Sequence, residues 1–405
     1  MIRQPFYILK NTIQHYDWGS TTALPELLGQ PNPEAKPMAE MWMGAHPKAP
    51  SLLLMDRDQI SFADAITRDP EVILGPRVSS HYHGQFPFLM KVLAASEPLS
   101  IQAHPNAEVA RVGFERENQA GIPITSGARV YQDPNHKPEL LCAIQPFSLM
   151  CGFQDPNLSA TLLQELGIEP LSAIAQKLMQ PDGLRYFYEA MLHLAPEVKQ
   201  AIALQAAEKA SSLARVHPGY EWLKRLAMKH PKDIAILSPL LMNLGRLMPG
   251  EAIFLPCGML HAYLEGLGVE IMANSDNVLR GGLTSKHIAM DELRTVVDFT
   301  AGPLPLVQPH SISPGEMVYK TSAQEFELSL LRVGTDAEIS CGASDSPEIL
   351  FCAKGQAIIA TAGEDKTWEL RRGQSIFIAA TAPQLILRGD AEIFRAKVPV
   401  CIPES

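Results

Sequence analysis

A chain of 405 residues exceeds what a single hydrophobic core usually serves, so two or three domains are expected. Its 34 basic and 44 acidic side chains leave a net charge of −10, which disfavours nucleic acid or an anionic membrane as a partner while leaving room for local basic sites. No run approaches the ~18 apolar residues of a membrane span, and the opening MIRQPFYILKNTIQHYDWGS lacks the apolar stretch and small-residue cleavage site of a signal peptide. A soluble cytoplasmic protein is expected.

Up to about residue 150, short apolar runs (SLLLM, PFLMKVLAA, ELLCAI, FSLMCGF) alternate with Pro, Gly, Asn and Asp, the texture of strands and turns. Within this part, ISFADAITRDPEVIL is spaced as a helix with Ser61 as its cap. Next comes LSIQAHPNAEV. Gln102 and His104 stand two apart in it, which on an extended strand puts both on one face. From about 155 to 235 the texture turns helical. In APEVKQAIALQAAEKASSLARV, residues Val198, Ile202, Ala206, Ala210 and Leu213 share a face, and Pro196 suits a first turn. PGYEWLKRLAMKH repeats the pattern through Trp222, Leu223, Leu226 and His230. Strand texture returns at GRLMPGEAIFLPCGMLHAYLEG, so the helices read as an insertion within a β domain. From about 301 the chain has the rhythm of a sandwich.

Cys142, Cys151, Cys257, Cys341, Cys352 and Cys401 are scattered without C-x-x-C spacing, mostly inside apolar runs. They read as reduced core residues, not as a disulfide frame or a thiolate zinc site. There is no G-x-G-x-x-G, no Walker loop and no G-x-S-x-G, so nucleotide binding and serine hydrolase chemistry have no footing.

Gly250, Pro256, Gly258 and His261 form G-x5-P-x-G-x2-H: a strand stops at a proline and a glycine turn, and the next strand presents one histidine. The pattern resembles the second motif of the cupins, in which that histidine closes a metal site inside a jelly roll. With it, Glu139 of YQDPNHKPELL completes the set Gln102, His104, Glu139 and His261. Two imidazoles, a carboxylate and a neutral amide suit zinc and leave room for a substrate. His81 and His83 of HYHG form the H-x-H of many cupins, but their polar surroundings, with no acid before Glu97, point to an exposed loop. His15, His46, His193, His217, His230 and His310 have no evident partners, and Trp18 and Trp42 read as core aromatics.

HYDWGS, AEMWMGAHPKAPS, PFLMKVLAASEPLSIQAHPN, DPNHKPELL, PCGMLHAYLEG and SDNVLRGGLTSKHI run in order from about Gln14 to His287. Together they resemble the type I mannose-6-phosphate isomerases, or phosphomannose isomerases. The resemblance implies a mainly β fold of two jelly-roll (cupin) domains with an α-helical insertion in the first. Residues 1–150 and 236–300 would form the catalytic domain, 151–235 the insert and 301–405 a metal-free second barrel. In that last part Ala379 stands where the motif has its proline, and no histidine follows His310.

The resemblance also implies one zinc ion per chain on Gln102, His104, Glu139 and His261, and active-site roles for Arg280, Lys286, Glu270 and Lys137. The implied reaction interconverts mannose 6-phosphate and fructose 6-phosphate through an enediol, which calls for a base and for relief of a developing oxyanion. Lys137 or Glu270 would carry the proton. Lys286 and Arg280 would hold the phosphate or assist ring opening, Lys137 would also touch the sugar, and arginine's planar fork suits phosphate. The cation Arg280 stands in a glycine-rich stretch taken as a turn, and Glu270 reads equally well as a half-exposed strand residue. A sugar-phosphate partner, no nucleic acid, no membrane and a monomer are expected. A sugar-binding bicupin without turnover is the rival, although a mere binder has little use for both a base and a Lewis acid. An isomerase preferring another sugar phosphate also stays open.

Overall fold

The alternation of apolar runs and turns folds into two antiparallel sheets, each of eleven strands among the described residues. The structure is a computed structural model and describes residues 6–55, 58–335, 338–343, 345–361 and 367–399. The chain is mainly β, as expected.

One strand, His261–Ala273, organises the site-bearing sheet. Its second half pairs with Phe88–Ala95 on one side and Glu139–Ala143 on the other, while its first half pairs with Phe147–Phe153 and, at His261 opposite Gln102, with Ile101–Ala103. The change of neighbours needs a bend. It comes at a register shift between Tyr263 and Glu265, followed by Gly266, whose φ is 142° and whose absent Cβ would lie 2.6 Å from the Phe147 ring. The proline–glycine turn before the strand is equally confined: Gly258 has φ of 86°, and a Cβ there would sit 2.9 Å from the Val296 carbonyl.

Two local expectations need correction. The Gln102 strand is short, Ile101–Ala103, and His104 lies just beyond it, followed by a helix, Ala107–Gln119, that alternation did not predict. Its polar sequence hides the period, and its start is set by Asn106, which accepts a hydrogen bond from the Val109 N–H at 2.9 Å. The helix expected after Ser61 breaks into Phe62–Arg68 and Pro70–Leu74, because Pro70 has no N–H with which to continue the first helix; Ser61 precedes it without a side-chain cap bond.

The longer helices after Gln154 are Pro156–Glu165, Gly183–His193, Pro196–Leu213 and Pro218–Lys229. Ile202, Ala206 and Ala210 are buried and Val198 and Leu213 half-buried, in line with the predicted face. These helices share one core with Ile101, Ala103, Met150, Leu260 and Leu279, so they buttress the short strands that carry the site.

Sheet pairing does not follow chain order. Tyr7–Lys10, Leu52–Leu54 and Gln59–Ser61 belong to the same sheet as the C-terminal strands, with Tyr7 opposite Phe377. Phe62 packs at a tilt against Phe377 and Phe86, at 4.3 and 4.9 Å between centroids, inside a core that also holds Val92 and Ile271. Cys142, Cys151, Cys341 and Cys352 are buried and Cys257 half-buried, all as free thiols; burial pushes the first four up to about 12. Cys401 lies outside the described residues. Among those residues no helix is long and apolar enough to cross a membrane.

Candidate metal centre

Three segments deliver three donors to one point. The His104 Nε2 lies 3.4 Å from Oε1 of Glu139 and the His261 Nε2 lies 3.3 Å from its Oε2, with all three residues 1% exposed. Each imidazole has its other nitrogen on a backbone carbonyl: His104 Nδ1 on Asn277 O at 2.7 Å, His261 Nδ1 on Met259 O at 2.9 Å. A ring that donates from Nδ1 turns a bare lone pair inward at Nε2. The cluster therefore gathers acceptors with no proton among them, and His104 Nε2 and Glu139 Oε2 have no hydrogen-bond partner. Buried lone pairs left so are unfavourable, and a cation at their centre satisfies them all.

Protonation states agree with this reading. Burial, seconded by the Lys137 charge, lowers the His104 imidazole to about 4. For Glu139 burial acts upward, but the Lys137 ammonium outweighs it and holds the carboxyl well below its ordinary value. Neutral imidazole and ionised carboxylate are the forms that bind metal. Gln102 adds a fourth side chain: its amide Nε2 is 3.3 Å from His261 Nε2, and a half-turn of the amide would present Oε1 instead. Donor atoms of His104, Glu139 and His261 all fall within 4.8 Å of one another, and the mixed N/O set fits zinc.

Gln102 and Glu139 line a cavity of about 700 Å³, within the range of small-molecule sites. Lys137, Glu270, Arg280 and Lys286 all line it. Lys137 is buried, with Nζ 3.0 Å from Oε1 of Glu139. Arg280 is not in a turn: it belongs to the strand Leu279–Gly282, opposite Gln102, and burial lowers its guanidinium. Lys286 is exposed at the rim, and the nearby Arg280 charge lowers its ammonium. Two neighbouring cations on one cavity are a pairing whose repulsion a dianionic group would relieve.

Glu270 is fully buried, not half-exposed. It accepts from Lys91 Nζ at 2.9 Å and from the Tyr263 hydroxyl at 2.8 Å. Lys91 was missed, although a lysine inside FLMKVLAA was the available signal. Burial alone would lower its ammonium, but Glu270, Glu40 and Glu139 hold it above the usual range. The Trp42 indole donates to Glu40 at 2.6 Å and its ring faces Lys91, so it edges the cavity as Trp18 does, in addition to packing.

Other histidines have structural partners. His46 lies 3.4 Å from Asp276, His217 accepts from the Gly219 N–H at the start of its helix, and His15 meets the Pro37 carbonyl at 2.6 Å. Of the H-x-H pair only His83 is exposed; His81 ends the helix Pro76–His81, because the polar stretch before it is helical and not a loop. Neither joins the metal cluster.

Residues 6–156 match the family description "Phosphomannose isomerase type I, catalytic domain". Over 392 residues the chain is 40% identical to the mannose-6-phosphate isomerase of Escherichia coli K12, covering 96% of this chain and 98% of that one. It is 31% identical to the Homo sapiens mannose-6-phosphate isomerase, over 96% and 97% of the two chains. Among solved structures, the mannose 6-phosphate isomerase from Salmonella typhimurium bound to fructose 6-phosphate and zinc aligns with a TM-score of 0.90 at 38% identity, covering 98% of this chain and 100% of that one.

Proposed function

The chain belongs to the type I phosphomannose isomerase family, and on that basis we propose that it interconverts mannose 6-phosphate and fructose 6-phosphate, using one zinc ion held by Gln102, His104, Glu139 and His261. The observation that carries this reading is the convergence of buried donors with unpartnered lone pairs beside a cavity that Gln102, Glu139, Arg280 and Lys286 line. A binding module would need the cations alone.

Bound by these four residues, zinc would supply Lewis acidity to the oxygens of the opened sugar. Arg280 and Lys286 take the phosphate, Arg280 being the more buried of the two. Lys137, once its ammonium has given up a proton, takes the proton from C2 as the free amine and returns it at C1 as the ammonium so formed. In the aldose-to-ketose direction the proton leaves C2, an enediol forms, and a proton returns at C1 while the hydroxyl proton passes from O2 to O1. Glu270 accepts two hydrogen bonds already, so its role is to hold the Lys91 ammonium in the cavity wall. That positive wall favours the oxygen charge that grows during enolisation.

We place the catalytic part in residues 1–150 and 236–300, the helical insert in 151–235 and a metal-free barrel in 301–405, the first strands being shared with the last sheet. A cytoplasmic monomer completes the reading. Metal analysis together with a coupled fructose 6-phosphate to mannose 6-phosphate assay, before and after chelation, tests it. One zinc per chain and activity lost on chelation are expected, and activity untouched by complete metal removal overturns it.

A further inference from the structure

His136, Lys137 and Glu139 lie on one continuous segment, so whatever fixes the His136 ring also constrains the side chain that follows it. The ring sits between two other parts of the chain. Its Nε2 is 2.6 Å from Oε1 of Glu325, and Cys257, in the turn before His261, is the other group that acts on the ring. Glu325 comes from the C-terminal region, 189 residues farther along.

The loop that carries Glu325 is itself held in place. Tyr82 donates its hydroxyl to the Gln324 carbonyl at 2.8 Å, the Gln324 N–H donates to Oε2 of Glu325 at 3.2 Å, and the adjoining Phe326 is 1% exposed in the large shared core. This gives HYHG a use, since Tyr82 stands between its two histidines. On the opposite side, the Ala273 N–H donates to the Pro138 carbonyl and the Asn135 amide to the Asn274 carbonyl, both at 3.2 Å. The segment is thus tied to the strand His261–Ala273 beside Pro138 and to the C-terminal region through His136.

We propose that Glu325 is a positioning residue for the reaction: through His136 it fixes the segment carrying Lys137 and Glu139, which makes the C-terminal region part of the catalytic apparatus. The proposal rests on the role given above to Lys137. Cys257 first and Glu325 second raise the imidazole to about 10 against the effect of burial, so the ring stays charged and holds its carboxylate partner across neutral pH.

The test uses the zinc-loaded full chain. Glu325→Gln keeps the shape and removes the charge; Glu325→Asp keeps the charge on a shorter stem. The Gln variant should lower kcat roughly tenfold or more, since a misplacement of about 1 Å can cost up to about a hundredfold. KM and zinc content should stay near parental, the urea midpoint should fall with the lost pairing while the variant stays folded in buffer, and the Asp variant should recover part of the kcat loss. A second readout needs no turnover: in a nitrogen-15 NMR titration the His136 midpoint should fall in the Gln variant from its raised value toward the ordinary 6.5. Cys257 and Glu325 are the titratable groups facing the ring, and Cys257→Ser separates the share of the first. Glu338→Gln, in an exposed pair with Arg388, should be silent. Parental kcat in Glu325→Gln despite a shifted titration overturns the proposal. So does a kcat loss matched by loss of zinc or of folded protein. A parent with no interconversion sinks the functional reading first, and the positioning role with it.

Discussion

Lys91 and Glu270 stand opposite each other on neighbouring antiparallel strands and meet at 2.9 Å, the lysine 7% and the glutamate 2% exposed. Two charges taken out of water at this depth are held by each other and by few other groups: Glu40 at 3.8 Å from the ammonium and the Tyr263 hydroxyl on the carboxylate. Such a pair is costly to form and costlier to break from one side.

Removing one partner should therefore be worse than removing both. Lys91→Met is expected to destabilise the fold by about 3–5 kcal/mol, the usual cost of stranding a buried charge, and Lys91→Met with Glu270→Gln to recover most of that. Urea midpoints of the two single variants and the double variant decide it. A double variant as unstable as the sum of the singles would mean the pair is not coupled.

His261→Ala should lose most bound zinc and the activity, while the helices and the C-terminal sheet keep their circular dichroism. The reason is geometric: the donors gather at one end of one sheet. Equal zinc in variant and parent would remove His261 from the ligand set. His81→Ala with His83→Ala is the companion measurement, expected to retain zinc and turnover because neither ring joins the cluster.

What could be read from the sequence divides along physical lines. Gln102, His104, Glu139 and His261 each sit in a short local motif whose punctuation is itself structural, as at Pro256 and Gly258, so residues within a few positions define them. Lys91 does not. Its partner is 179 residues away, and only the cross-strand register converts an odd lysine in an apolar strand into a buried ion pair. Glu270 was undecidable for the same reason, because flanking valine and isoleucine say nothing of what lies on the facing strand. The Ala107–Gln119 helix was hidden by its charged face, and Gly113 within it owes its identity to the Tyr131 ring, 2.4 Å from where a Cβ would be. Pairing of Tyr7 with the C-terminal sheet is a closure of some 370 residues that no local pattern encodes.

Acid should weaken the mouth of the site. At Asp276 burial acts upward, but His46 and Lys48 outweigh it and hold the carboxyl below its ordinary 3.8. A carboxyl depressed in the fold adds stability above its unfolded value, and that stability is lost as pH falls through and below it. The gap in melting temperature between parent and Asp276→Asn should be full near neutrality and shrink from about pH 4 downward. Lys48 is mostly exposed, so the gap should be modest and reduced by salt. A gap that does not change with pH would show that this pairing contributes nothing.

The sharpest test separates chemistry from binding, because Lys137 is buried against Glu139 whereas Arg280 comes from another strand, next to the charge of Lys286. Lys137 is buried with Nζ 3.0 Å from Glu139, whereas Arg280 stands opposite Gln102 and its charge acts on Lys286. Lys137→Met keeps the stem and removes the charge; it should lower kcat roughly a hundredfold or more, in the range of proton-transfer groups. Its zinc content should be unchanged, since the donors of Glu139 still face both imidazoles. Arg280→Ala should instead raise KM for the phosphorylated sugar with a smaller loss in kcat, the mark of an interaction made equally in ground and transition states. Zinc lost from Lys137→Met would make the lysine a support for Glu139 and turn attention to the Lys91–Glu270 pair as the proton carrier. A lowered kcat at unchanged KM in Arg280→Ala would place the guanidinium at ring opening, and Lys286 would then have to be the main phosphate anchor.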